Sequence, residues 1–72
     1  MLEKEVVEEI QELMSAMHLP FIAWGIGDDK IYYSIDRISD IPFVEKYELL
    51  EDMKLTYEKV NKTPWYSNNN SE

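Results

Sequence analysis

The chain contains no cysteine, one histidine, one arginine and two glycines. Without cysteine there is no disulfide framework and no thiolate set for zinc. A lone histidine offers no metal or catalytic constellation; His18, at the expected end of a helix, reads as a capping imidazole meeting the negative end of the dipole. No glycine-rich phosphate cradle, HExxH pair or nucleophile elbow is present. Asp28 and Asp29 lack the spaced ligands of a calcium loop and read as turn residues. No apolar run approaches the roughly 18 residues needed to span a bilayer. The first residues also lack the basic, apolar, small-residue order of a secretion signal. The single arginine, Arg37, and six lysines dispersed among acids give no basic stripe for direct binding of nucleic acid. Together these absences predict a cytoplasmic protein that is not an enzyme, with no cofactor, no metal and no membrane contact.

What the chain does have is acid. Fifteen Asp and Glu face seven Lys and Arg, for a formal net charge of −8. Such a surface is repelled by nucleic acid and anionic membrane and attracted to basic surfaces. Solubility is the plain alternative, and the arrangement of the carboxylates decides between the two.

Seventy-two residues make one small domain, near the size at which a single core suffices. The stretch from Phe21 to Asp36 organises it. Ile22, Trp24 and Ile26, then Ile31, Tyr33 and Ile35, alternate with smaller or polar residues, the period-two pattern of half-buried strands. Gly27-Asp28-Asp29-Lys30 between them are turn formers. Before the hairpin, Leu2, Val6, Ile10, Leu13 and Met17, widened by Val7 and Met14, follow the 3/4 spacing of a helix over residues 2–17. Pro20 stops that helix. After the hairpin, Ser39 or Asp40 is placed to cap a second helix over residues 41–60. Its expected core stripe is Phe43, Tyr47, Leu50, Met53, Tyr57 and Val60, bordered by Lys46 and Lys54. Residues 61–72 lose periodicity and read as a polar, disordered tail, in which Trp65 and Tyr66 are expected to fold back over the core. The Asn61-Lys62-Thr63 sequon is followed by Pro and carries no weight.

The predicted fold is therefore α+β, in the order α-β-β-α, with two amphipathic helices on one face of a β-hairpin. A lone hairpin leaves both edges open, so dimerisation through a strand edge is expected. The acids fall into two ridges. Glu5, Glu8, Glu9 and Glu12 share an arc of the first helix away from its apolar stripe, about 10 Å long at 1.5 Å per residue. That is sparser than duplex phosphate, at one charge per roughly 1.7 Å, but comparable with one strand. On the second helix Glu45, Glu48 and Asp52 lie opposite the core stripe. Glu51 and Glu58 flank them, beside Val44 and Leu55.

In size, acidity, absent cysteine and missing enzymatic motifs the chain resembles the small acidic host-takeover inhibitors and DNA mimics of bacteriophages. The resemblance implies an inhibitor that occupies the basic DNA-binding surface of a host protein, such as a histone-like nucleoid protein, and excludes DNA from it. A strand-edge dimer would carry −16, twice −8, and meet a symmetric basic partner with a repeated array. The partner-binding residues expected are Glu5, Glu8, Glu9, Glu12, Glu45, Glu48, Glu51, Asp52, Leu55 and Glu58. The competing expectation is a small accessory subunit or adaptor, docking through Leu55, Val44, Trp65 or the flat hairpin face, its acidity serving solubility.

Overall fold

The computed structural model describes residues 2–66, the Ile26 side chain excepted. The elements follow as α1 (Glu3–Ala16), β1 (Phe21–Ile26), β2 (Asp29–Ser34), a 3-10 helix (Ile35–Asp40) and α2 (Phe43–Asn61). This is the expected α-β-β-α order in a mixed α+β fold. Of residues 61–72, expected as a disordered polar tail, Asn61 ends α2 and Trp65 packs on the core, while 67–72 lie outside the described residues.

On α1, Val6, Ile10, Leu13 and Met14 are fully buried, with Val7 and Met17 packed beside them. Leu2 does not join this stripe: it stands outside the helix in extended geometry and is 70% exposed. Its N–H donates to Glu5 Oε1 at 3.1 Å, the reaching-back half of a capping box. At the other end His18 takes left-handed geometry, φ 57°. Its N–H donates to the Ser15 carbonyl at 3.1 Å and the Leu19 N–H to the Met14 carbonyl at 2.9 Å. These are the paired bonds of a Schellman ending, so His18 closes the helix with its backbone; the expected imidazole cap is corrected.

The hairpin is tighter than its composition predicts. Ile26 pairs with Asp29, so the connection is the two residues Gly27-Asp28 and not the four residues to Lys30. Gly27, at φ 62°, supplies the positive φ that a type II′ turn needs at its first central position. The second strand also ends two residues early. The chain winds from Ile35 into the 3-10 helix, where the Ser34 hydroxyl donates to Asp36 Oδ1 at 2.6 Å. That bond holds the Asp36 carboxyl below its usual range, so its contribution persists in acid until pH falls through the depressed value. Asp40 does not cap α2 and Ser39 stands within the 3-10 helix. Asp40 meets Arg37 Nε at 2.5 Å, and Pro42 precedes α2 with its carbonyl accepting from the Lys46 N–H.

Register sets Trp24 opposite Ile31 and Ile22 opposite Tyr33, which puts these four on one face, as expected. Ile22, Trp24 and Tyr33 pack against the core, while Ile31 remains 58% exposed. The centre of the fold is the contact of α1 with α2, closed from one side by Ile38 and Ile41. Both isoleucines are buried; Ile38 lies within the 3-10 helix, and Ile41, expected to open the second helix, instead closes the 3-10 helix as its C-cap. On α2 the buried side is Lys46, Leu49, Leu50 and Met53, with Tyr47 and Tyr57 half-buried. Phe43 and Val60 leave the expected stripe, 53% and 70% exposed. They sit near the ends of a 19-residue helix packed on one of 14 residues, so about 7 Å of its length overhangs. Each buried aliphatic side chain contributes about 1.5–3 kcal/mol.

Glu3 pairs with Lys46 and Glu9 with Lys54, so the two helices run in the same sense along their contact. Lys46 is nearly sealed off, and a buried ammonium is stable only beside such a partner.

Gly25 carries the sharpest steric constraint. At φ 153° a side chain is strained there, and a Cβ would lie 2.4 Å from the Asp29 carbonyl oxygen. Gly25→Ala should therefore lower stability by more than ~1 kcal/mol. Gly27→Ala, facing open space at an ordinary left-handed φ, should cost only about 1 kcal/mol. Urea unfolding of both variants checks the order, and an unchanged midpoint for Gly25→Ala would contradict the close strand approach.

Candidate partner-binding surface

The acids expected as two ridges, one on each helix, do not keep that division. On α1, Glu5 is exposed, and Glu8 and Glu12 are half-buried on the helix flank. Glu9 is not on the outer ridge at all: it is 4% exposed. Its Oε2 lies 3.6 Å from Lys54 Nζ and accepts the Trp65 indole N–H at 3.2 Å. A carboxylate removed from water needs such donors, and here they come from α2 and from the chain beyond it. The ridge expected over Glu5–Glu12 is thus interrupted, because the α1 arc holding Glu9 borders the α2 contact and not solvent.

Lys54 Nζ also lies 3.7 Å from Glu51 Oε2, so one ammonium bridges carboxylates of both helices. Glu58 stands on the same side of α2, its Oε2 accepting the backbone N–H of Trp65 at 3.2 Å. Trp65 packs edge-to-face on Tyr57, ring centroids 4.9 Å apart. Glu9, Lys54, Glu51, Glu58 and Trp65 therefore form a seam between α1 and α2. The expected folding back of Trp65 over the core is what the structure has, while Tyr66 stays 73% exposed.

Glu45 and Asp52 turn elsewhere. At 100° per residue Asp52 is a quarter turn from Glu51. It lines a cavity of about 280 Å³ under the hairpin, together with Ile22, Trp24, Lys30 and Met53. Glu45 lines a second cleft with Ile31, Tyr33 and Pro42. Neither belongs to the seam. Glu48 and Leu55 lie between the two sides, both exposed, Leu55 at 65% and Val44 near them at 66%.

Lys54 was expected only to border the core stripe, and Trp65 to fold over the core or dock on a partner; neither was read as a link between the helices. For Lys54 the signal was its three-residue spacing from Glu51; for Trp65 it was an aromatic residue just past a helix end. Their shared partner Glu9 carried none, being identical in type to its solvent-facing neighbours.

Among the described residues no cluster of three or more His, Asp or Glu is placed to hold a metal ion, and no helix is long and apolar enough to cross a membrane. Comparison with protein-family models, curated proteins and solved structures finds no match to the chain.

The structural and displayed acids should separate under mutation. Glu9→Ala leaves the indole N–H and Lys54 without their shared acceptor and should cost about 1–3 kcal/mol, with Trp65 emission shifting to the red. Glu48→Gln should stay within about 0.5 kcal/mol of the parent. Equal losses in thermal unfolding would remove Glu9 from its role as the internal link.

Proposed function

We propose that this chain is a small acidic inhibitor that binds a basic DNA-binding protein in the cytoplasm, imitating DNA and excluding it from that protein's surface. One observation carries the reading: Lys54 joins Glu9 of α1 to Glu51 of α2, so the two helices' acids flank a common seam. Glu5, Glu8 and Glu12 lie on its α1 side, with Glu51, Glu58 and, further round, Glu48 on its α2 side. Buried ion pairs cancel part of the charge, yet the balance of the chain remains −8. A host-takeover protein of a bacteriophage, directed at a histone-like nucleoid protein, is the kind of agent this chemistry fits.

A second copy enters the same proposal. The sheet has two strands, so each strand has an outer edge with no strand beside it among the described residues. Phe21 and Tyr32 on one face of the sheet and Ile31 on the other are exposed, at 59%, 74% and 58%. Edge pairing would cover the open backbone groups and double the acidic array.

The adaptor reading keeps its own support, the exposed Val44 and Leu55 set within the α2 acids. Here apolar burial would dominate and the charge would be incidental.

Immobilised protein exposed to bacterial lysate, with and without nuclease, separates the two. The inhibitor reading expects capture of DNA-binding proteins that duplex DNA elutes and that weakens steeply between ~50 and ~200 mM salt. Changing Glu5, Glu8, Glu12, Glu48 and Glu51 together to Gln should leave folding intact and reduce capture roughly tenfold or more. Retention in high salt and indifference to DNA would point to the adaptor. In sedimentation, a dimer is expected at tens of micromolar; a monomer there would end the edge-pairing idea.

A further inference from the structure

The two free edges of the hairpin are not alike. A two-residue turn is closed by a hydrogen-bonded pair, here Ile26 with Asp29, and such pairs alternate along an antiparallel ladder. Trp24 with Ile31 and Ile22 with Tyr33 are the next bonded pairs, so the N–H and C=O groups of Phe21, Ala23 and Gly25 point away from β2. Among the described residues no hydrogen bond reaches these outward groups. The edge they form borders the 280 Å³ cavity, whose far wall is Leu49, Asp52, Met53 and Thr56 of α2.

We propose that β1 is the self-association surface. It pairs antiparallel with β1 of a second copy, the two-fold axis passing at Ala23, and the two hairpins become one four-stranded sheet with β1 of each copy at its centre. The inference rests on the edge-pairing reading above and names the strand, the register and the contacts within it.

The strand complements itself in this register. Ala23 meets its own copy, Phe21 meets the second copy's Gly25, and Ile22 meets the second copy's Trp24. The outward groups of Phe21, Ala23 and Gly25 then bond to their counterparts and none is left open. On the outer face Phe21 is exposed and Gly25 has no side chain, so the ring of one copy has room to lie over the glycine of the other, which is how an edge glycine is covered. On the inner face, Ile22 against Trp24 is the β-branched and aromatic pairing that stabilises sheets. The second copy's Ile22 and Trp24 also come to lie over the cavity between β1 and α2. Charge selects the same strand. Two copies at −8 repel, and they approach most closely where carboxylates are absent. Residues 13–27 hold no Asp, Glu, Lys or Arg, the longest such stretch in the chain. By contrast β2 opens on Asp29 and carries Lys30 at an outward-bonding position, and a lysine on an edge works against pairing.

The test reads the register directly. At about 3.3 Å per residue, Phe21 and Gly25 of one copy are about 13 Å apart, too far for a nuclear Overhauser contact. In the wild-type dimer such a contact between the Phe21 ring and Gly25 Hα is expected, and it should fade on dilution. A dimer without it overturns the proposal. Ala23→Lys sets two ammonium groups facing each other across the axis and should weaken dimerisation in sedimentation by roughly tenfold or more, whereas Tyr32→Lys, the matching change on β2, should leave it in place. Dissociation by Tyr32→Lys and not by Ala23→Lys would move the pairing to β2 and overturn the inference while keeping edge pairing. A wild-type monomer at tens of micromolar also overturns it and leaves the β1 edge to an extended segment of another protein. Capture of DNA-binding proteins is scored separately. A β1-paired dimer without DNA-displaceable capture keeps this surface and removes the inhibitor reading, and a monomer that still captures does the reverse.

Discussion

Glu9 is where three parts of the chain meet. Its carboxylate, out of solvent on α1, is approached by Lys54 from α2 and by the Trp65 indole from the segment after α2. Removing a carboxylate from water costs several kcal/mol unless donors replace the lost hydration. The position is therefore tolerable only if α2 lies alongside α1 and the chain returns over their contact. Lys46 and Glu3 repeat the device one level down. Two ion pairs thus fix the direction and register of a helix pair whose apolar contact alone, being non-directional, would leave looser.

The hairpin is held differently. Ile22, Trp24 and Tyr33 rest on the core, but none is fully buried, and clefts remain on the α2 side beneath the strands. The 3-10 helix makes the stronger connection, burying Ile38 and Ile41 and receiving the Gln11 side-chain amide on the Ile35 carbonyl at 2.9 Å. The helical half holds the fully buried core, and the strands project an apolar surface with two edges that no strand covers among the described residues. A small domain with so little core has reason to cover such edges with another chain.

The same helical packing arranges the charge. Acids on two separate amphipathic helices would face unrelated directions unless the helices were joined side by side. The contact brings Glu8, Glu12, Glu51 and Glu58 around one seam and turns Glu45 and Asp52 towards the hairpin. An acidic surface of this kind favours encounter with basic surfaces. The aromatic pair Trp65 and Tyr66 beside it adds a chemistry that phosphate lacks.

Periodicity alone determined where the helices and strands lie, because the 3.6 and 2.0 repeats are local and the Val6-Ile10-Leu13 and Ile22-Trp24 spacings declare them. Composition likewise determined the acidity and the absence of metal or thiol chemistry as expectations. Tertiary structure decided the rest. It buried Glu9 and Lys46, exposed Leu2, Phe43 and Val60, and drew Ile38, Ile41 and Leu49 into the core. A residue's type and spacing give the arc it occupies on its own helix. Whether that arc meets water or another helix depends on where the partner ends and which side it approaches, and those are properties of the packed pair.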